Sequence, residues 1–141
     1  MHMTQSFQLP PDAQELLQPH FTTLDLALIR FRQPVPALIR RLSPFDPAAI
    51  AFPAIVYVAT GVFNPSSPAG LALIAHELEH VAQWRRHGRL PFLVLYLTAY
   101  IRGRCRRLPP WEAYRAIGFE VEARAKEDLV WKALSTGPRG V

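Results

Sequence analysis

Residues 66–88 read Ser-Ser-Pro-Ala-Gly-Leu-Ala-Leu-Ile-Ala-His-Glu-Leu-Glu-His-Val-Ala-Gln-Trp-Arg-Arg-His-Gly. The apolar residues recur every three, four or seven positions, which predicts an amphipathic helix over about 69–87. Ser66 or Ser67 is suited to cap this helix, Pro68 to occupy its first turn, and Gly88 to end it. Its apolar face comprises Leu71, Ile74, Ala75, Leu78, Val81 and Ala82.

Two histidines lie on the opposite face of this predicted helix. His76 and His80 are four residues apart, so both imidazoles can reach one zinc ion, which prefers nitrogen ligands at about 2.0–2.1 Å. Glu77 follows the first histidine and is placed to take a proton from a zinc-bound water. The pattern His-Glu-x-x-His therefore predicts a zinc site with Glu77 as the catalytic base. The alternative is that the histidines are buried or solvated without a metal.

A catalytic zinc keeps three protein ligands, so a third must come from another part of the chain. His87 lies roughly 10 Å beyond His80 along the predicted helix, which is too far. We favour Glu120, because it shares a predicted helical face with small residues that let two helices approach closely. Glu122 points about 160° away and precedes Lys126 by four residues, as in a surface ion pair, and stays the alternative ligand. The full set of downstream candidates is His87, Glu112, Glu120, Glu122, Glu127 and Asp128, and the small residues are Ala113, Ala116 and Ala123.

Two further polar residues are candidates for supporting the ligands. Glu127 lies seven residues beyond Glu120 and could orient a histidine by a hydrogen bond, although a solvated charge is an equally good interpretation. Gln83 falls on the histidine side of the predicted helix and could serve the site or bond to neighbouring backbone.

The composition indicates one globular domain over residues 1–141, with about 1–10 and 135–141 as loose ends. Half of the residues are hydrophobic and 19% are charged. The single cysteine, Cys105, excludes an internal disulfide framework and favours a reducing compartment. The first residues lack the pattern of a signal peptide, so we expect a cytoplasmic protein.

The order of predicted elements favours an α+β fold. Strands are expected at 24–31, where leucine and alanine leave a helix as the alternative, and at 48–52 and 55–59. Helices are expected at 11–18, 37–42, 69–87, 90–102 and 112–134, the last with a break near Gly118.

The net charge of +5 includes a basic run at residues 102–107. Its arginines are not interleaved with aromatic residues, and no nucleic-acid-reading motif is present, so nucleic acid is not the expected partner. The apolar segment Leu90–Ile101 has 12 residues, fewer than the roughly 20 that a membrane span needs. An integral membrane protein is therefore not expected, while peripheral contact through this segment stays open.

Glu120-Val-Glu-Ala123 after the histidine motif resembles the Glu-x-x-Ala signature of gluzincin zinc metallopeptidases. Over about residues 55–128 the chain is similar to small bacterial zincin-like domains of uncharacterised function. The resemblance implies a compact zincin-like fold, with a small N-terminal sheet over the His-Glu-x-x-His helix and two further helices. It also implies that an edge strand, Ile55–Ala59, receives an extended peptide. Arg124 departs from the signature, where an aspartate supports a metal-bound histidine.

The activity implied is that of a zinc metalloendopeptidase with one zinc per chain and a peptide or protein substrate. Glu77 would be the general base, and Tyr114 would donate to the oxyanion, with His87 and Arg124 as weaker candidates. Two alternatives remain open. One is a zincin-like domain that binds zinc but has little activity and serves interaction or structure. The other is a basic nucleic-acid-associated protein.

Overall fold

Four short strands form one mixed sheet in the computed structural model, which describes residues 4–43 and 47–136. The strand order is β1-β2-β4-β3, with β2 and β4 parallel and the other two pairs antiparallel. The strands are β1 Gln5–Gln8, β2 Arg30–Gln33, β3 Ala49–Ala51 and β4 Ile55–Val58.

Helices make up most of the rest of the described chain, which confirms the α+β prediction. They are α1 Pro11–Leu17, α2 Ala37–Leu42, α3 Pro68–His87, α4 Arg89–Cys105, α5 Pro110–Arg115 and α6 Gly118–Ser135. Two short 3-10 turns, Gln18–His20 and Leu26–Leu28, lie between α1 and β2.

The core lies between the sheet and α3. Phe31 of β2 and Val56 of β4 are fully buried, and they belong to one apolar cluster with Leu78 of α3 and Val130 of α6. Burial of one such side chain stabilises the fold by about 1.5–3 kcal/mol, so this cluster fixes α3 against the sheet. The predicted apolar face of the histidine helix therefore packs into the core.

The ends of α3 follow local rules. The Ser67 hydroxyl accepts a hydrogen bond from the Gly70 amide over 3.0 Å, and Pro68 occupies the first turn. Gly88 ends the helix with φ of +87°, a conformation that side chains other than glycine rarely adopt. These caps set where the helix begins and ends.

Two predictions near the N-terminus were wrong. Residues 1–10 are not a loose end, because Gln5–Gln8 pairs with Arg30–Gln33, although residues 1–3 lie outside the described part. The strand expected at 24–31 begins only at Arg30. Before it, the Asp25 side chain accepts a hydrogen bond from the Ala27 amide and caps a 3-10 turn. At the other end, Ser135 still belongs to α6, and residues 137–141 lie outside the described part.

The position of Ile55–Val58 corrects the expected peptide-binding edge. This strand lies between β2 and β3, so both of its edges are paired, and β3 is the outer strand on that side. The break expected near Gly118 is confirmed: residues 112–134 belong to two helices, because the chain turns at Ala116 and Ile117.

The sequence predicts that none of the apolar stretches of the chain spans a membrane. In the part of the chain described, no helix combines the length and the apolar character needed to cross a bilayer.

Candidate metal centre

Helices α3 and α6 bring His76, His80 and Glu120 together. The Nε2 atom of His76 lies 3.1 Å from Oε1 of Glu120, and Nε2 of His80 lies 3.0 Å from Oε2 of the same carboxylate. One ligand-type atom from each of the three residues falls within 4.8 Å of the others. The side chains come from two helices, and His76 and Glu120 are 44 residues apart in the sequence.

This donor set fits a zinc ion. Tetrahedral ligands at about 2.0–2.1 Å lie roughly 3.3–3.4 Å from one another, which is close to the nitrogen–oxygen distances found here. Two imidazoles and one carboxylate are also the donors that catalytic zinc sites of the His₂Glu type use.

The second nitrogen of each histidine has its own partner. Nδ1 of His76 lies 2.8 Å from Oε1 of Glu127, and Nδ1 of His80 lies 2.9 Å from Oε1 of Gln83. A proton on each Nδ1 would donate to these oxygens, which leaves each Nε2 directed at Glu120. Partners of this kind fix the tautomer and the ring orientation of histidines that bind a metal.

Tyr96 of α4 is the contact that the sequence analysis missed. Its hydroxyl donates to Oε2 of Glu120 over 2.7 Å. Burial, followed by the charge of Glu120, raises the pKa of Tyr96, so this phenol stays a neutral donor. Phe92, four residues earlier, is buried on the same side of α4, but the sequence alone does not show which side faces inward.

Tyr114 of α5 lies beside the same carboxylate. It is half-buried and hydrogen-bonds with Glu120 and with Tyr96. Burial and the charge of Glu120 raise its pKa, which keeps the hydroxyl protonated. The predicted oxyanion donor is thus near the cluster, and two polar groups of the protein already contact it.

The charges of the cluster are strongly coupled. Burial alone would lower the pKa of His76, but hydrogen bonds with Glu120 and Glu127 raise it to about 10. Burial also acts to lower the pKa of His80, but its hydrogen bond with Glu120 and the charges of Glu120 and Glu77 together raise it. Burial opposes ionisation of Glu120, yet the hydrogen bonds from both histidines hold its pKa well below the usual range. Without a metal, these contacts favour protonated imidazoles around an ionised Glu120.

Glu77 is buried next to this cluster on α3. Burial raises the pKa of its carboxyl group, although the nearby His80 and His76 act in the opposite direction. A carboxylate with a raised pKa is a stronger proton acceptor than an exposed glutamate.

Other predicted candidates have different partners. Glu122 accepts a hydrogen bond from Nε2 of Gln83 over 3.2 Å and pairs with Arg86 at 3.5 Å, rather than with Lys126. Arg124 donates to the Arg115 carbonyl over 2.7 Å. His87 packs against the ring of Phe119, with centroids 5.1 Å apart.

A family model described as the eCIS core domain matches residues 8–88, more than half of the 141 residues. The chain belongs to the eCIS core domain family. No curated protein and no solved structure matches it.

The segment matched by the eCIS core domain model ends with α3. It includes His76, Glu77 and His80, and it stops before Tyr96 and Glu120. The candidate metal centre of this eCIS core domain therefore combines histidines from the matched segment with a carboxylate from beyond it.

Proposed function

We propose that this protein is a zinc-dependent peptidase of the gluzincin type, with one zinc per chain held by His76, His80 and Glu120. The observation that supports it best is the approach of both histidine Nε2 atoms to within 3.1 Å of one buried carboxylate on another helix. The neighbouring Glu77 adds the proton acceptor that such hydrolysis needs.

The bound zinc would supply Lewis acidity at the scissile carbonyl and activate water near neutral pH. Glu77 would accept the proton of the attacking water and deliver it to the leaving amine. Its raised pKa supports both transfers, since the group must hold the proton between the two steps.

We assign different roles to Tyr96 and Tyr114. Tyr96 holds Glu120 through a 2.7 Å hydrogen bond, and we assign it to positioning that carboxylate. Tyr114 is the proposed donor to the developing oxyanion, for which it would exchange its hydrogen bond with Glu120 for one with substrate.

Glu127 can take the role that an aspartate has in the gluzincin signature, where this chain has Arg124. The Arg124 side chain cannot accept a hydrogen bond from a histidine. Glu127, one helical turn later, lies 2.8 Å from Nδ1 of His76. We propose that Glu127 supplies the carboxylate that orients this histidine.

Metal analysis and peptide hydrolysis of three purified proteins test the proposal. The unmodified protein and Glu77→Gln should each hold about one zinc, with hydrolysis lower by at least about a hundredfold in the variant. Glu112→Gln, which changes an exposed glutamate on α5, should keep both properties. Equal hydrolysis by Glu77→Gln would contradict the catalytic assignment, and full zinc content in Glu120→Ala would contradict the ligand set.

A second candidate function is a zinc-binding interaction domain without appreciable peptidase activity. It is favoured by the hydrogen bonds of Tyr96 and Tyr114, both of which are made to Glu120. The family name, which refers to an extracellular contractile injection system, also fits a role in assembly. Zinc in both the unmodified and the Glu77→Gln protein, with hydrolysis in neither, would support this candidate.

A further inference from the structure

Helix α4 has apolar residues on the side facing solvent as well as on the side facing the protein. Five aliphatic side chains spaced by three, four, seven and eleven residues are between 42 and 70% exposed. This spacing places them on one face of the helix, opposite Phe92 and Gly103, which are buried. The exposed face consists of Leu90, Leu93, Val94, Leu97 and Ile101.

Positive charge lies at both ends of this apolar face. Residues 81–111 include no aspartate or glutamate and seven arginines. Three of these flank the start of α4 and four flank its end: Arg85, Arg86 and Arg89, then Arg102, Arg104, Arg106 and Arg107. The surface thus combines an exposed apolar stripe with arginines at both ends, which suits a partner that is both apolar and anionic.

An open apolar cavity continues the stripe. It has a volume of about 540 Å³ and is lined by residues 52–55 of the β3–β4 turn, by Trp84, and by Arg89, Leu90 and Leu93 of α4. Its apolar wall and its arginine at the rim suit an acyl chain with a phosphate group above it.

We propose that α4 docks the protein on an anionic phospholipid membrane, with the helix lying in the plane of the interface. The helix has 17 residues, or about 25 Å, and arginines at both ends, which suits interfacial rather than spanning placement. A second copy of this chain is a poorer occupant, since seven arginines on each copy would repel. Nucleic acid would not explain the exposed aliphatic stripe.

Vesicle flotation of the full chain at about 0.15 M salt tests this inference without reference to zinc or hydrolysis. We expect recovery with phosphatidylcholine vesicles that contain about 30% phosphatidylserine, and at least about tenfold less with phosphatidylcholine alone. Leu93→Glu combined with Leu97→Glu should abolish recovery. The matched control, Leu38→Glu with Leu42→Glu, changes two exposed leucines of α2 and should bind as the unmodified protein does.

A second set of variants tests the charges. Changing Arg89, Arg102 and Arg106 to glutamine should lower the partition coefficient about a hundredfold, since each arginine near an anionic surface contributes about fivefold. The control variant has the same net charge but keeps the α4 arginines, with glutamine in place of Arg30, Arg41 and Lys132. Its partition coefficient should fall far less. Circular dichroism of each variant confirms that the fold is kept.

Three results would overturn the inference. One is no recovery with anionic vesicles, and another is equal loss in the α2 and α4 leucine variants. The third is self-association, or binding to duplex DNA, in the absence of vesicle recovery, which would assign the surface to another partner.

Discussion

Gln83 of α3 connects His80 of the candidate metal centre to the backbone of α6. Its side chain is fully buried, which is unusual for an amide. Its oxygen lies 2.9 Å from Nδ1 of His80, and its nitrogen donates to the Phe119 carbonyl at 3.0 Å. Because a buried polar group without a partner costs about 1–3 kcal/mol, these bonds explain why an amide is stable here.

Gln83→Leu should weaken zinc binding about 10–100-fold, since the His80 ring loses the acceptor that orients it. Competition with a chelator of known affinity measures the change. Glu122→Gln is the matched control, because Glu122 contacts the same Gln83 amide but is exposed and pairs with Arg86. Equal weakening in the control would mean that Glu122 takes part in holding the metal.

Zinc binding should release protons, and its apparent affinity should rise with pH. Zinc requires neutral imidazole, whereas the metal-free pKa of His76 is about 10 and that of His80 is also raised. Below pH 10 the ion must therefore displace protons, and affinity increases up to about tenfold per pH unit for each proton released. Calorimetry near pH 7.5, in buffers of different ionisation enthalpy, should give about one to two protons. Binding without proton release would contradict the coupled charges described above.

Helix ends that are set by neighbouring residues could be predicted from the sequence. Strands that depend on pairing with a distant part of the chain could not. Ser67 and Gly88 mark the ends of α3 through their own side chain or backbone, and the structure places the helix between them. Strand β1 contains one apolar residue, Phe7, and exists because Arg30–Gln33 pairs with it. The aliphatic run that was expected to be a strand contains a 3-10 turn at Leu26–Leu28. This turn places Leu26 in the core without strand pairing.

Gly70→Ala should destabilise the start of α3. A Cβ atom at this position would lie 1.8 Å from the Asn64 carbonyl oxygen, and backbone cannot move aside as a flexible side chain can. We expect a loss of about 1–3 kcal/mol in the free energy of unfolding, measured by denaturant titration. Gly118→Ala is the matched control, because its added Cβ would meet nothing within 4 Å. Equal stability of the two variants would show that the loop at Asn64 yields at little cost.

On the scale of the whole molecule, the site depends on how α6 packs across α3. Ala123 and Val130 of α6 are fully buried, and these residues let Glu120 and Glu127 approach the histidines. The sequence pointed to Glu120 through Ala123, but it also placed Ala113 and Ala116 on the same helix, and they belong to α5 and its end. Tyr96 was missed because α4 is apolar on both sides, so periodicity alone could not show which side faces inward.

Because the proposed zinc ligands come from two helices far apart in sequence, zinc should stabilise the whole fold. The ligands converge only when α3 and α6 are packed, so the ion binds the folded chain far better than the unfolded one. At a free zinc concentration about a thousandfold above Kd, the gain is about 4 kcal/mol, which for a domain of this size raises Tm by about 10–15 °C.

Thermal unfolding with zinc and with EDTA, each compared within one variant, measures this gain. Glu120→Ala should lose most of the shift, because the carboxylate that joins α6 to the histidines is gone. Glu112→Ala, an exposed change on α5, should keep it. A full zinc shift in Glu120→Ala would mean that the ion is held within α3 alone. The packing of α6 would then bring Glu120 to the histidines only as an ion-pair partner, and not as a ligand.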